Sequence, residues 1–359
     1  MNEFLIPSSN PIGTLKSGHI AWRSPSNIAI IKYWGKFGNQ LPANPSISMT
    51  LEHAFTETHI FYKAGNVFAD DGVRFSLDGK PNTKFETKIK SVFAKWKEYF
   101  PFLEKISIEI VSKNSFPHSA GIASSASSMS ALALCIVSLE QQLYQRFTDK
   151  EFFFKASFAS RLASGSACRS VYPCYSIWGR SDHIPQSNDA YAIPYERFHP
   201  VFATLHDDIV IINSREKEVS SSEGHALMVD NPYADIRYKQ ARENADELAL
   251  VLRSGNLHRF GEIAEQEAMT LHALMMASVP GYLLIQPNTL EVINRIKAYR
   301  KSTGNPVYFT LDAGPNPHIF YPHEIKEEVE GFINAEIREF AENGKIIQDI
   351  CGKGPVQLN

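Results

Sequence analysis

The chain has 359 residues, 43% of them hydrophobic and 21% charged, with 36 Lys and Arg against 39 Asp and Glu for a formal net charge of −3. That length is long for one hydrophobic core and favours two domains, the composition is that of an ordinary globular protein, and the slightly acidic balance without a basic stripe argues against a nucleic-acid binder. An anionic small molecule stays open as a ligand, because it needs only a local cluster of Lys, Arg or backbone N–H groups.

Cys135, Cys168, Cys174 and Cys351 form no CxxC pair, and HExxH is absent. Reduced thiols in a cytoplasmic protein are the simplest reading. The first residues, MNEFLIPSSNPIG, lack the basic start and apolar core of a signal peptide. Residues 1–20, rich in Ser, Pro, Asn and Gly, read as an extension. No segment approaches the ~20 apolar residues of a membrane span.

His19 to Ile31 reads as a strand. Its apolar end, Ile28 to Ile31, runs into Lys32, Tyr33, Trp34, Gly35 and Lys36. Two ammonium groups at the end of an apolar strand need partners, in a solvated turn or on an anionic ligand. Phe55 to Tyr62 is a second strand. Ile89, Val92, Phe93 and Trp96 then fall at helical spacing, and Ile106 to Val111 alternates apolar and polar residues as a half-buried strand does. From Ala123 onward a helix is expected, with Met129, Leu132, Ala133, Ile136 and Leu139 on one face. The order of elements restarts after a Pro-containing loop near residue 200. The strand Asp208 to Asn213 follows, then helices around 234–252, 259–277 and 289–301, and strands at 307–311 and 318–321. Strands mixed with helices throughout predict α+β or α/β domains.

Three stretches suggest chemistry. In PHSAGIASSASS (117–128), Pro117 and Gly121 break the chain before a helix whose first turns are crowded with Ser124, Ser125, Ser127 and Ser128. Unpaired N–H groups, the helix dipole and small side chains suit a phosphate there; a plain Ser-rich N-cap explains the serines equally well. In SGSACRSVY (164–172) Arg169 is the only charge, with room for a planar carboxylate or phosphate on its fork; an isolated arginine would more simply salt-bridge. In YFTLDAGPNPHIFY (308–321) Asp312 ends a strand before a turn, as a cap or as a carboxylate aimed into a cleft.

The first stretch resembles the P-x-x-x-G-[LI]-x-S-S-A phosphate loop of the GHMP kinases, not a Walker A motif. SNIAIIKYWGK, SFPHSAGIASSAS, SGSACRSVY and DAGPN, in that order, resemble a decarboxylating branch of those kinases, the diphosphomevalonate decarboxylase family. The likeness extends over EQEAMTLHALMMAS (265–278) to the terminal CGKGP (351–355).

The resemblance implies an α+β GHMP kinase fold. An N-terminal domain, residues 1–200, would resemble domain 2 of a ribosomal small-subunit protein and bind ATP; a ferredoxin-like C-terminal domain, residues 201–359, would follow. It implies an enzyme that uses ATP and Mg2+ on mevalonate 5-diphosphate, as a cytoplasmic homodimer acting on a small molecule, with no nucleic acid or membrane partner. By family position Asp312 is the acid beside the 3-hydroxyl, and Lys32 pairs with it and holds it ionised. Arg169 and Asn27 match positions holding the substrate carboxylate. Tyr33 and Lys36 match contacts to its diphosphate, with Ser166 nearby. Gly121, Ser124 and Ser125 match the loop on the ATP phosphates. Trp34 is expected to pack and Gly35 to permit a turn.

The chain departs from the family in three places. Val229 stands where an Arg contacting the diphosphate is expected, YPCY (172–175) replaces Y-G-G-F, and Asn44-Pro45-Ser46 replaces Asn-Ser-Ser. Loss of a charged contact worth ~1.5–3 kcal/mol raises the 5-monophosphate as an alternative substrate, unless a neighbour such as Arg237 compensates. A kinase that does not decarboxylate and a non-catalytic metabolite-binding relative are the other readings.

Overall fold

The computed structural model describes residues 4–6, 16–116, 124–215 and 219–358. The first half runs β1 (Gly18–Ile31), β2 (Lys36–Phe37), β3 (Leu41–Pro42), β4 (Ser46–Ala64), β5 (Val73–Leu77), β6 (Lys80–Pro81), α1 (Thr83–Trp96), β7 (Ile106–Asn114), α2 (Ser124–Tyr144), α3 (Asp149–Ala163), β8 (Tyr175–Trp178) and β9 (Ile193–Pro194). The second runs β10 (His206–Val210), α4 (Ser221–Ala226), α5 (Ala234–Ser254), α6 (Leu257–Met276), α7 (Pro287–Thr303), β11 (Tyr308–Leu311), β12 (Pro317–Tyr321), α8 (Lys326–Phe332), β13 (Ile346–Ile350) and β14 (Val356–Leu358). No helix among the described residues is long and apolar enough to cross a membrane.

The mixed architecture is the expected one. The helical spacing around Ile89 is realised in α1, which buries Ile89, Val92, Phe93 and Trp96 and is capped by the Asn82 side chain on Phe85 N. The long strand β4 forms the spine of the first sheet, ordered β14-β1-β4-β7-β5-β6, and pairs β8 along its first residues. Helix α2 lies against β1 and β4 and is buried on nearly every face, not only along the predicted stripe. Its serines explain how. Ser130 meets Ser24 at 2.6 Å, Ser127 meets Thr56 at 2.7 Å, and Ser138 accepts from the Trp22 indole at 2.8 Å. Small hydroxyls let the helix approach the sheet closely while pairing the polar groups that approach would strand.

The second sheet is four-stranded and antiparallel, ordered β11-β12-β10-β13. Two features tie it to the first. The register of β1 on β4 steps from Pro25 opposite Phe55 to Asn27 opposite Thr50, which leaves Leu51 to Ala54 outside the ladder. Their orphaned N–H groups need acceptors. Leu51 bridges Cys351, and Asp349 on β13 supplies the other three, with Oδ1 accepting from Glu52 N and His53 N at 2.8 and 2.9 Å and Oδ2 from Ala54 N at 2.7 Å. Beyond it the chain returns to the first sheet, where β14 pairs with β1 over Ala21 to Arg23.

Asp349→Ala leaves those three N–H groups without their carboxylate. It is expected to lower the unfolding free energy by about 3 kcal/mol or more, read by urea denaturation; a change under ~1 kcal/mol would show that water takes over the contact.

Candidate active site

The last turn of β1 is fully apolar: Ile28, Ile30 and Ile31 are buried. The strand therefore delivers Lys32 into the interior, where its side chain is 2% exposed. A buried ammonium needs near-complete pairing. Nζ donates to Ala29 O and lies 3.2 Å from Asp312 Oδ1. Burial pushes the lysine below its usual pKa, and the Asp312 and Glu267 carboxylates push it back up.

Asp312 sits in the turn after β11 and keeps one edge open to the cavity, with its side chain 26% exposed. The turn is pinned from two directions. His272 Nε2 donates to Asp312 O at 3.1 Å, and Asn316 Oδ1 accepts from Ile212 N and Asn213 N at the end of β10. Asn316 thus gives DAGPN a structural logic beyond a tight turn.

Glu267 is the largest omission of the sequence reading. It is fully buried on α6, accepts from Lys32 N at 2.9 Å and Asn244 Nδ2 at 2.7 Å, and pairs with Arg237. Arg237 meets Glu267 through Nη2 and does not line the cavity, while its Nε and Nη1 have no partner among the described residues. Val229 is 79% exposed and lies outside the cavity lining. Val229 itself contributes no contact to the lining.

Arg169 sits in the 3-10 segment Gly165–Val171 after α3. It is buried, donates from Nη1 to Ser46 Oγ at 2.6 Å, and has no partner for Nε among the described residues. Burial lowers its pKa, although a guanidinium stays charged. The Trp178 ring lies 5.9 Å away. Beside it Asn27 Nδ2 donates to Ser170 Oγ at 2.8 Å and to Ser166 O at 3.3 Å. Tyr33 packs between Trp178 and His225, with ring centroids at 4.6 and 4.4 Å, and its buried hydroxyl has no partner among the described residues.

Asn27, Lys32, Tyr33, Lys36, Ser124, Ser125, Ser166, Arg169 and Asp312 all line one cavity of about 370 Å3 between the two sheets. Gly121 lies outside the described residues. Of the four serines read as phosphate donors, Ser124 and Ser125 face this cavity. Ser127 bonds Thr56 instead, and Ser128 Oγ turns back to Ser124 O at 2.8 Å. The structure adds residues not singled out in sequence: Lys88 from α1, Ser220 to Ser222, and His225 from α4. A lysine on the polar face of an amphipathic helix gives no sequence signal that it borders a cleft.

A small-molecule site between a mixed sheet and a second α+β unit, entered by the start of a Ser-rich helix, is the arrangement of the GHMP kinase fold. Residues 24–192 match the diphosphomevalonate decarboxylase-like N-terminal domain, and residues 208–354 the mevalonate 5-diphosphate decarboxylase C-terminal domain. A diphosphomevalonate decarboxylase of Ganoderma lucidum is 31% identical over 331 residues, which cover 86% of this chain and 79% of that protein. The crystal structure of mevalonate diphosphate decarboxylase from Staphylococcus aureus superposes with a TM-score of 0.81 at 29% identity, covering 96% of this chain and 98% of that one. MDDEF, solved in complex with MVAPP, AMPPCP and magnesium, superposes at 0.78 with 27% identity, over 96% and 99% of the two chains. The chain belongs to the diphosphomevalonate decarboxylase family.

The lowered pKa of Lys32 has two opposite consequences. Between that value and about 10.4 the unfolded chain binds more protons than the folded one, so stability rises with pH through this window as the buried charge is relieved. Turnover is expected to fall there, because the neutral amine no longer holds Asp312. A pH–rate profile should show an alkaline limb below the ordinary lysine range while circular dichroism stays constant; unfolding along the same limb would contradict this assignment.

Proposed function

We propose that the chain catalyses ATP- and Mg2+-dependent decarboxylation of mevalonate 5-diphosphate, giving isopentenyl diphosphate, ADP, phosphate and CO2. The observation that carries the reading is the buried Lys32 ammonium 3.2 Å from Asp312, in one cavity with a buried arginine that has an unused N–H. A kinase that only transfers phosphate has no need to hold a substrate carboxylate in a dry pocket beside the reacting hydroxyl.

Asp312 takes or orients the proton of the tertiary 3-hydroxyl, and Lys32 keeps that carboxylate ionised. Arg169, through Nε, and Asn27 fix the substrate carboxylate next to the carbon that becomes electron-poor. Tyr33, Lys36 and Ser166 hold the phosphorylated tail. Bound ATP supplies the phosphoryl group that turns a poor leaving group into a good one. The site suits it: Ser124 and Ser125 bring hydroxyls from α2, and Lys88 adds a cation. No three His, Cys, Asp or Glu groups converge among the described residues, which fits a magnesium ion held largely by phosphate oxygens. In this reading residues 1–200 carry the nucleotide and 201–359 complete the cleft, in a cytoplasmic homodimer. Exposed Val229, Tyr233 and Ile236, on a segment tied through Asn231 to Leu274 and Ser278 beside exposed Met276 and Val279, offer an apolar surface for such a contact.

ADP release measured in parallel with mevalonate, its 5-phosphate and its 5-diphosphate should respond to the diphosphate, with equimolar CO2. A stable phosphorylated product without CO2 would make the chain a kinase, and tight binding without ATP turnover a non-catalytic relative. Asp312→Asn should lower kcat by roughly 10²–10⁴-fold with nucleotide affinity unchanged in a fluorescent-nucleotide titration; near-normal turnover would remove Asp312 from the mechanism.

A further inference from the structure

His225 is a buried histidine with a fixed proton. Its Nδ1 accepts from Gly35 N at 2.9 Å, and a ring nitrogen that accepts carries no hydrogen. Burial, assisted by the Lys36 charge, pushes its pKa down to about 3. The ring is therefore neutral and its one proton sits on Nε2, which donates to no described residue. The ring cannot turn to exchange the two nitrogens freely, because Tyr33 and Trp34 pack on it with centroids at 4.4 and 4.6 Å. Its backbone is held as tightly. At the preceding residue, Gly224, a Cβ would come within 2.4 Å of the Trp34 ring and 2.6 Å of Tyr282 Oη. Gly35, the acceptor's partner, has φ +101° and no room for a side chain against Tyr238. A glycine on each side thus allows the close contact that sets the imidazole. The ring lines the cavity beside Lys36, Ser222 and the unpartnered Tyr33 hydroxyl.

We propose that His225 reads the substrate's phosphorylated tail, donating its Nε2–H to an oxygen of the diphosphate between Tyr33 and Lys36. This rests on the reading of the cavity as a mevalonate 5-diphosphate site. The donor comes from the second half of the chain, whereas Tyr33 and Lys36 come from the first, so the tail bridges the two halves. A neutral N–H suits the position. It pairs a phosphate oxygen without adding a second buried cation next to Lys36, and it offers nothing to a group that can only donate.

Two substitutions separate the ring's two nitrogens. Asn carries an acceptor near the Nδ1 position and can keep the Gly35 contact while losing the distal donor; Gln places an N–H near Nε2. His225→Asn is expected to weaken binding of inorganic pyrophosphate about tenfold in calorimetric titration, and to raise KM for mevalonate 5-diphosphate by a similar factor with kcat within about twofold. His225→Gln should recover most of the affinity. Equal affinity in the Asn variant, or equal losses in both variants, would overturn the proposal, as would wild-type protein that does not bind pyrophosphate. Long-range 15N–1H spectra of wild-type histidine check the tautomer whether or not the variants fold: a proton on Nδ1 would also overturn it. Pyrophosphate binding that depends on His225 in a protein that releases no CO2 would sink the decarboxylase reading and leave this contact standing.

Discussion

An ammonium buried at the end of an apolar strand is the constraint around which this molecule is arranged. Ile28 to Ile31 carry Lys32 inside, and among the described residues of the first half only Ala29 O accepts from its ammonium. Asn44 Nδ2 donates to its carbonyl, and the second half supplies the rest: Asp312 takes the side chain and Glu267 the backbone N–H. Glu267 is itself a buried charge, satisfied by Arg237 and Asn244. Each member is affordable only because the next is present, since an uncompensated buried charge costs roughly 3–5 kcal/mol. The contacts that join the halves are thus the ones that place the Lys32–Asp312 pair, and the cleft cannot be loosened without disturbing it.

The proposed function assigns the cavity's lining three tasks: Ser124 and Ser125 for the nucleotide, Arg169 and Asn27 for a carboxylate beside Asp312, and Tyr33, Lys36 and His225 for the phosphorylated tail. Lys32 and Lys36 are four residues apart in sequence yet serve different groups, because the turn at Gly35 re-aims the chain after the strand ends. Trp178 is shared: it supports the Tyr33 ring on one side and lies under the Arg169 guanidinium on the other. One indole therefore couples the placement of the Arg169 guanidinium to that of the Tyr33 ring.

Much of this was legible in residues alone. Periodicity foretold the buried face of α1, since that signal is local. The motif order brought Lys32, Arg169 and Asp312 together, because each is embedded in small or turn-forming residues that leave a charge conspicuous. Glu267 was not legible: its meaning depends on a backbone N–H 235 residues away, and a glutamate among alanines on a helix looks solvated. The exposed position of Val229 was not legible for the related reason that spacing along a motif does not say where a side chain points. The separate tasks of Ser127 and Ser128, turned to Thr56 and back to Ser124 O, were not legible because a run of serines conceals which face each one takes.

The return of the chain to its first sheet has a consequence for how that sheet meets other molecules. Strand β14 pairs with β1 over Ala21 to Arg23 and so covers part of the sheet's outer edge. Without it, unpaired backbone groups on that stretch of β1 would be open to any other extended chain nearby. Three residues, Val356 to Leu358, thus close an edge that would otherwise act as a template for association, and fraying of so short a strand re-opens it.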